Sequence, residues 1–399
     1  MKRVVTTEVV DVNADVNFSA NIITWQLQFG RHALPWQNTS DAYRIWLSEI
    51  MLQQTQVAAV IPYYQTFLER FPNVQSLANA PSEAVMALWS GLGYYTRARN
   101  LHRCAQYVVA AHGGVFPSDP ALLVLLPGIG RSTAAAIAAF AYGTRAAILD
   151  GNVKRVFCRV FGVSGYPGSK PVEERLWRLA EQLLPPRQVG VYTQGLMDLG
   201  ATLCTRTRPS CTRCPLSTRC VALATDRIHV LPERKPKKAV PQRHVAMLVV
   251  LDHNQVLLEQ RPDSGIWGGL LSLPELSVVE FAAAELAAAE LTFNSSSLKI
   301  KASSIEGDFK HTINASISRA IAPFGEPNSS TALTPFSHAF THFKLHVSPY
   351  LVTLSRRVDG VGEHSHVWYD TARLLNAPLP APIKKLLLSV CNTRDLFSI

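Results

Sequence analysis

Apolar residues recur at a helical period through most of the first 225 positions of the chain. Within the stretch 41–71, a spacing near 3.6 residues is kept by Tyr43, Ile45, Trp46, Ile50, Met51, Val57, Val60 and Ile61. Pro171 occupies a favoured first-turn position before a second apolar stripe, which consists of Val172, Leu176, Leu179 and Leu183. A further helix is predicted over YTQGLMDLGATLC. The pattern predicts an all-α domain at residues 18–225, after a loose N-terminus at residues 1–17.

The pattern changes after residue 225. Residues 226–243 are rich in charge and proline and have little periodicity, which is typical of a linker. Beyond them the period shortens towards two, and HVAMLVVLDHNQVLLEQRP predicts two strands joined by a turn at Asp252–Gln255. Another strand is predicted in HFKLHVSPYLVTLS, and helices in EFAAAELAAAEL and APIKKLLLSV. Residues 244–399 are therefore predicted to form an α+β domain, so that the chain is multidomain.

The net charge of +10 is carried by the first part of the chain. Residues 1–239 hold 26 Lys and Arg against 15 Asp and Glu, whereas residues 240–399 hold 13 against 14. Such a surplus favours a polyanionic partner, because phosphates attract a basic surface whatever their sequence. No apolar run reaches the roughly 20 residues of a membrane span, and the N-terminus lacks the apolar core of a secretory signal. We therefore expect an intracellular, cytoplasmic protein without a membrane partner.

Four of the seven cysteines lie close together in CTRTRPSCTRCPLSTRC. Cys204, Cys211, Cys214 and Cys220 have the spacing Cys-x6-Cys-x2-Cys-x5-Cys, which suits thiolate ligation of either zinc or an iron–sulfur cluster. The spacing alone does not decide between the two metals. The arginines between these cysteines place positive charge around them, which favours a loop that faces phosphates. The remaining three, Cys104, Cys158 and Cys391, have apolar neighbours and are predicted to be core thiols.

A glycine turn and a carboxylate are the other candidates for chemistry. In LLPGIGRSTAAAIAAFAYG, Gly128 and Gly130 allow a tight turn between two helices. The amides at the start of the second helix can hold a phosphate oxygen. Asp150, in ILDGNVKRV, can cap a helix or point into a site. Because DNA repels a carboxylate, an acid beside a phosphate-binding turn implies a use for it.

Together, the glycine turn, ILDGNVKRV and the cysteine loop resemble the helix-hairpin-helix DNA glycosylases that carry a 4Fe–4S cluster. Within that superfamily the chain is similar to the MutY-type adenine DNA glycosylases through LPWQ, SEIMLQQTQV, GLGYYTRARNL and MDLGATLCTR. The second domain resembles their Nudix-like domain through GIWGGLLSLP and HAFTHFKL. The resemblance implies a helix-hairpin-helix domain with an iron–sulfur loop, a C-terminal α+β Nudix-like domain, and a 4Fe–4S cluster rather than zinc on the four cysteines.

The resemblance also implies a reaction, the release of adenine paired with 8-oxoguanine or guanine in duplex DNA, by a monomer. It assigns Glu49 as the acid that protonates adenine, and the apolar neighbours of Glu49 independently predict a raised pKa. Asp150 is expected to stay ionised beside the sugar, where it either stabilises the developing cation or traps it as a short-lived covalent adduct. Asn152 is expected to position Asp150 or water. Bifunctional relatives have a lysine where this chain has Ser132, and a hydroxyl cannot form a Schiff base. Strand cleavage is therefore not expected, although Lys154 is near enough in sequence to reach the abasic product.

Further residues are implied to contact DNA or the extruded base. They comprise the gap-filling residues Gln54 and Tyr94 with Leu92, the neighbouring Thr55, the adenine-pocket residues Trp36 and Gln37, and Gly128, Gly130, Ser132 and Lys154. In the second domain, the family's loop for 8-oxoguanine matches Phe340, Thr341 and His342.

Three other functions fit these residues less well. Nucleotide hydrolysis is disfavoured, because the glutamates after Gly269 lack the Nudix arrangement. A pyrimidine-lesion glycosylase on the same scaffold is disfavoured by the second domain. A non-enzymatic iron–sulfur DNA sensor would gain nothing from acids placed near phosphates.

Overall fold

The computed structural model describes residues 16–235, 240–262, 264–276, 313–340, 342–358 and 365–395. They form two compact units, one containing Met1–Ala80 with Arg97–Lys237 and the other containing Pro81–Thr96 with Lys238–Ile399. The predicted helix over EFAAAELAAAEL lies outside the described residues, as do nearly all of the predicted loose N-terminus and Thr341. No helix in the described ranges is long and apolar enough to cross a membrane.

The first unit is helical, as the periodicity predicts. Its helices are α1 (Val16–Phe29), α2 (Ala42–Leu52), α3 (Val57–Arg70), α4 (Val74–Ala78), α6 (Thr96–His112), α7 (Pro120–Leu123), α8 (Arg131–Tyr142), α9 (Gly151–Val160), α10 (Lys170–Gln182), α11 (Val189–Asp198) and α12 (Val221–Ala224). Pro171 lies in the first turn of α10 as predicted. The helix predicted over YTQGLMDLGATLC is α11, which continues into a π-helical turn at Leu199–Leu203.

One core gathers helices from both ends of this unit. Phe18 and Ile22 of α1 are fully buried against Phe157 of α9 and Tyr192 and Leu196 of α11. Cys158, predicted to be a core thiol, belongs to this core, and Cys104 is fully buried in α6. Because α9 is packed on α1, α10 and α11, its first residue is held in a fixed position.

The apolar stripe over residues 41–71 is interrupted, forming two helices rather than one. α2 ends at Leu52, and α3 begins at Val57. Between them, Gln53 has φ −57° and ψ 114°, Gln54 has φ 56°, and Thr55 N donates to Leu52 O at 3.2 Å. These values match a type II turn, which requires a positive φ at its third residue and favours glycine or asparagine there. Of the predicted stripe residues in α3, Val60 is buried, whereas Val57 and Ile61 are half-buried.

The second unit contains a mixed sheet of strands β1 (Gln242–Asp252), β2 (Gln255–Gln260), β3 (Leu271–Ser272), β4 (Gly325–Ala332), β5 (Phe336–Ala339), β6 (Lys344–Arg357) and β7 (His366–Asp370). The strand order is β3-β2-β1-β6-β4, with β5 paired to β6 and β7 to β2. β1 and β6 are parallel, and the other described pairings are antiparallel. The predicted hairpin turn at Asp252–Gln255 joins β1 to β2.

Helices cover part of this sheet. Ile313, Ile317 and Ile321, in the helical residues 313–321, pack on Leu248, Val250 and Val352 of the central strands. The predicted helix over APIKKLLLSV is found as α13 (Ala381–Asp395). Helix α5 (Ser82–Trp89) also belongs to this unit, and Ser90 Oγ donates to Leu379 O at 2.8 Å.

Candidate active site

A cavity of about 370 Å³ opens in the first unit and has a size typical of ligand sites. Glu49 of α2 lines it, together with Trp36 and Gln37, so three residues that were predicted separately share one space. Trp36 is buried and packs edge-on against Tyr64 at 5.4 Å. Gln37 Oε1 accepts a hydrogen bond from Leu34 N at 3.0 Å, which fixes the bend that carries both residues.

Glu49 is a carboxylic acid whose surroundings favour the protonated form. Burial in the apolar helix α2 raises its pKa, and the negative charge of Asp150 raises it further, to about 8. Asp150 is far from Glu49 in sequence, but in the fold it lies close enough for its negative charge to raise the pKa of Glu49. The apolar neighbours Trp46, Ile50 and Met51 are buried around the same helix, as the sequence predicts.

Asp150 has both roles that the sequence left open. It is the N-cap of α9, and its Oδ1 accepts a hydrogen bond from Val153 N at 2.8 Å. The pKa of Asp150 is raised overall, chiefly by burial, and the amides of Val153 and Asn152 and the charge of Arg155 limit the rise. These partners all stabilise the carboxylate, so that within the pair Asp150 is the group equipped to carry the charge and Glu49 the proton.

Arg155 links Asn152 to the cysteine loop, residues 204–220, through hydrogen bonds. Its Nη2 donates to Asn152 Oδ1 at 2.8 Å and to Gly200 O at 2.7 Å, and its Nε donates to Cys204 O at 2.7 Å. Asn152 Nδ2 in turn lies 3.5 Å from Asp150 Oδ2. Gly200 is needed at this point, because a Cβ there would lie 2.5 Å from the Cβ of Asn152. The predicted positioning role of Asn152 therefore has a physical route through Arg155.

The four clustered cysteines are free thiols that line one small cavity. Arg159 is buried behind them and donates to Thr205 O at 2.8 Å, to Arg206 O at 3.1 Å and to Cys204 Sγ at 3.4 Å. Within the described residues, no group of three or more His, Cys, Asp or Glu side chains converges on a position for a single metal ion. Four thiols around one cavity are a donor set that either a zinc ion or an iron–sulfur cluster can use.

Polar residues that the sequence analysis missed also line the cavity of Glu49. Arg31 Nε donates to Oδ1 of the fully buried Asp198 at 2.8 Å, and Gln194 Nε2 donates to the same oxygen at 2.8 Å. Because its amide nitrogen is engaged, Gln194 presents an acceptor oxygen elsewhere. Gln26 is buried, and its Oε1 has no partner among the described residues. No local pattern reveals this group, since Arg31 and Asp198 are 167 positions apart.

Two residues predicted to act on the sugar or base are engaged within the protein. Ser132 Oγ accepts a hydrogen bond from Leu149 N at 3.0 Å, which ties the start of α8 to the residue before Asp150. Lys154 Nζ lies 2.6 Å from Glu173 Oε1 of α10, in an ion pair. Lys154 is thus held towards α10, a partnership that no pattern in the sequence indicates.

The glycine turn before α8 treats its two glycines differently. Gly128 has φ +79°, and a Cβ there would lie 2.8 Å from the Cβ of Asn100, so the fold requires glycine. Gly130 is the N-cap of α8 with an ordinary φ of −88°, and a Cβ there would meet nothing within 4 Å. No side chain caps the helix, so the first amides of α8 keep their hydrogen-bonding capacity.

The two predicted gap-filling residues have the same unusual backbone. Gln54 in the first unit is exposed with φ 56°, and Tyr94 in the second is 49% exposed with φ 51°. A positive φ is uncommon for such side chains and is concentrated at functional sites. Leu92 is buried rather than exposed. Thr55 Oγ1 accepts from Arg97 Nη2 at 3.1 Å and donates to Gln53 O at 3.2 Å.

Aromatic rings surround the predicted 8-oxoguanine loop in the second unit. Phe340 stacks on Phe343 at 4.5 Å, and its amide donates to Phe343 O at 2.9 Å. Trp267, from the GIWGGLLSLP stretch, lies 5.9 Å from the Phe340 ring. Arg243 covers Phe343 at 4.8 Å. His342 is exposed beside this stack.

Comparisons with known proteins agree with the two-part architecture. Residues 47–182 match the HhH-GPD superfamily of base excision DNA repair proteins, and residues 245–389 match the NUDIX domain. These matches confirm the predicted combination of a helical glycosylase domain with a Nudix-like domain. Among solved structures, a thermostable thymine-DNA glycosylase is 31% identical with a TM-score of 0.48, covering 52% of this chain and 95% of its own.

Curated relatives match over about two thirds of the chain or more. The adenine DNA glycosylase of Buchnera aphidicola subsp. Acyrthosiphon pisum (strain APS) is 34% identical over 371 residues, which is 93% of this chain and 96% of the relative. That of Mus musculus is 38% identical over 324 residues, covering 68% of this chain and 62% of the relative. The resemblance identified from the motifs is confirmed, and the chain belongs to the family of adenine DNA glycosylases.

Proposed function

We propose that this adenine DNA glycosylase removes adenine paired with 8-oxoguanine or guanine in duplex DNA, without efficient strand cleavage. The observation that carries the proposal is a buried Glu49, whose pKa is raised, acted on by the charge of an Asp150 that accepts hydrogen bonds at the N-cap of α9. Glycoside hydrolysis requires one acid and one carboxylate in different environments. Burial supplies the first environment and the N-cap of α9 supplies the second.

In the reaction, the Glu49 carboxyl group donates its proton to a ring nitrogen of the extruded adenine. The bond between adenine and C1′ of the sugar then breaks, and its electron pair leaves with the base. Asp150 faces the positive charge that develops on the sugar and stabilises it. The Glu49 carboxylate takes a proton from the water that attacks C1′, so that Glu49 is again protonated at the end of the cycle.

The cavity supports recognition of adenine through its acceptors. Adenine has an exocyclic amine where guanine has an oxygen. Gln194 presents Oε1 because its nitrogen is engaged by Asp198, and Gln26 Oε1 is a second buried acceptor. Acceptor oxygens can bind the amine of adenine. They leave the carbonyl oxygen of guanine without a hydrogen bond, which costs more free energy in a site from which water is excluded.

Two features support base removal without strand cleavage. Ser132 has no amine and its hydroxyl is engaged with Leu149 N. Lys154, the lysine nearest to Asp150 in sequence, forms an ion pair with Glu173. A Schiff base with the abasic sugar requires an amine that is not engaged elsewhere, and neither residue offers one.

Duplex DNA is the partner, and three groups of residues are proposed to hold it. The first amides of α8, after Gly130, bind a phosphate. Gln54 and Tyr94 fill the gap left by the extruded base. Phe340, Thr341 and His342 recognise 8-oxoguanine, supported by the aromatic stack around Phe340.

A 4Fe–4S cluster is proposed on Cys204, Cys211, Cys214 and Cys220. Four free thiols around one cavity support it. When bound, the cluster supplies iron–thiolate bonds that cross-link the loop. The protein's own contribution is made by Arg155 and Arg159, which join this loop to α9, the helix that Asp150 caps.

One assay tests the proposal. The protein is incubated in single-turnover conditions with duplexes that carry adenine opposite 8-oxoguanine, adenine opposite guanine, thymine opposite guanine, or an oxidised pyrimidine, and alkali-labile sites are counted. Adenine release from the first two, with few breaks before alkali, is expected. Release of a pyrimidine instead would overturn the proposal. Glu49→Gln is expected to bind DNA but to lose at least about 100-fold in rate, a typical contribution of general acid catalysis.

A further inference from the structure

The turn that carries Gln54 is held in a strained conformation by contacts from two other helices. Gln54 occupies the position of a type II turn where glycine or asparagine is favoured, with φ 56°. Such a conformation is strained and persists only where the surrounding structure holds it in place. The side chain of Gln54 is exposed, so the surroundings must act through the neighbours of Gln54 rather than through its own side chain.

Arg97 contacts the turn from both of its flanks. Its Nη1 donates to Ile50 O at 2.9 Å and to Met51 O at 2.8 Å, which are carbonyls in the last turn of α2. Its Nη2 donates to Thr55 Oγ1 at 3.1 Å, after the turn. Arg97 is 8% exposed. A buried, planar cation with three fixed acceptors is well placed at a helix C-terminus, where partial negative charge collects.

Thr55 passes this contact on to the backbone of the turn. The hydroxyl that accepts from Arg97 donates to Gln53 O at 3.2 Å, and Thr55 N closes the turn on Leu52 O at 3.2 Å. On the other side, Gln53 Nε2 donates to Thr133 Oγ1 of α8 at 3.4 Å. The residues before and after Gln54 are therefore both tied down.

We infer that Arg97 and Thr55 are positioning residues that hold the Gln53–Thr55 turn in the conformation in which Gln54 enters the duplex. This rests on the proposed role of Gln54. An already ordered turn loses little entropy when it displaces a base, so the tethers lower the free energy of extrusion. Neither side chain lines the cavity of Glu49, so the chemical step is not expected to depend on them.

The test compares two duplexes that differ in the cost of extrusion. In one, the target adenine is paired with 8-oxoguanine. In the other, it lies opposite an abasic-site analogue, where less pairing must be broken. Single-turnover rates are measured for the wild type, Thr55→Val, which is isosteric and lacks the hydroxyl, and Thr55→Ser, which keeps it. Arg97→Lys is the second variant, since an ammonium cannot span all three acceptors.

Thr55→Val is expected to lower the rate on the paired duplex about tenfold, as the loss of two hydrogen bonds implies. On the unpaired adenine, its rate should stay within about twofold of the wild type, and Thr55→Ser should restore the paired rate. Arg97→Lys should follow Thr55→Val. Equal losses on both duplexes, or no loss on either, would overturn the inference. If the wild type releases no adenine from either duplex, the proposed function has failed instead.

Discussion

At the scale of single residues, the main determinant of the proposed chemistry is the raised pKa of Glu49. A carboxyl group with its ordinary pKa of 4.5 is ionised at neutral pH and has no proton to donate. Burial in α2, reinforced by the charge of Asp150, raises this pKa to about 8. The neighbouring Asp150 is buried too, but it keeps hydrogen bonds to its carboxylate. One helix interior and one helix N-cap thus give two identical functional groups opposite roles.

The direction of this shift predicts the pH dependence of base release. Since the pKa is raised, the donor is protonated below about pH 8 and loses its proton as the pH rises through that value. Single-turnover rates should be flat near neutrality and fall about tenfold for each pH unit above the pKa. The measurement is a rate–pH profile on the adenine:8-oxoguanine duplex. A profile that keeps rising beyond about pH 9 would contradict the assignment of Glu49 as the acid.

The same shift has a consequence for stability that serves as a control. The folded state binds the Glu49 proton more tightly than the unfolded chain does, so the contribution of this group is fully present below pH 4.5 and is lost as the pH rises towards about 8. Glu49→Gln removes that dependence. A variant that unfolds with the pH profile of the wild type would show that Glu49 is ionised in the folded protein.

At the scale of elements, α9 is the structural member on which the site depends. Its N-cap is Asp150, its first turn carries Asn152, and Arg155 and Arg159 fasten its far side to the cysteine loop. The π-helical turn at Leu199–Leu203 approaches it so closely that only Gly200 fits beside Asn152.

Gly200→Ala is therefore expected to displace Asn152 and weaken base release. Its Cβ would lie 2.5 Å from the Cβ of Asn152 and 3.1 Å from its Cα, so the backbone itself must move. Such overpacking costs about 1–3 kcal/mol in stability, and a loss of about 100-fold in rate is expected when the catalytic group is misplaced. Single-turnover rates and thermal unfolding of the variant are measured together. A rate within about twofold of the wild type would refute the idea.

Local pattern predicted most helices but not the break between α2 and α3. The apolar positions on either side of residues 53–56 fit one helical period, and neither glycine nor proline marks the turn. Gln54 has a positive φ, and the residues on either side of it are held by Arg97 and Thr133, which are distant in sequence. Such a turn is set by tertiary contacts, which no window of neighbouring residues contains.

At the scale of the whole molecule, the same limit applies to the site and to the domain division. Glu49 and Asp150 were found because each lies in a recognisable motif. The sequence analysis missed Arg31 and Asp198, because the hydrogen bond that joins them spans 167 positions. It also missed Gln194, which is a common residue type on an ordinary helix and bonds Asp198. Likewise, Pro81–Thr96 belongs with the sheet-containing unit, where Ser90 bonds Leu379 O, although its sequence reads as one more stretch of helical pattern.

The distribution of charge between the units predicts that affinity and discrimination can be separated by mutation. The positive surplus lies in residues 1–239, and Arg206 and Arg208 are exposed beside the cysteine cluster. Replacing both with glutamine should weaken binding to every duplex alike. The slope of log Kd against log salt should also fall by about 0.9 for each phosphate that the variant no longer neutralises.

His342→Ala, in the nearly neutral second unit, should leave that slope unchanged and reduce the preference for 8-oxoguanine over guanine. Titrations of both duplexes at several salt concentrations measure the two effects together. A change in base preference in the arginine variant, or a change in slope in the histidine variant, would show that the two functions are not divided in this way.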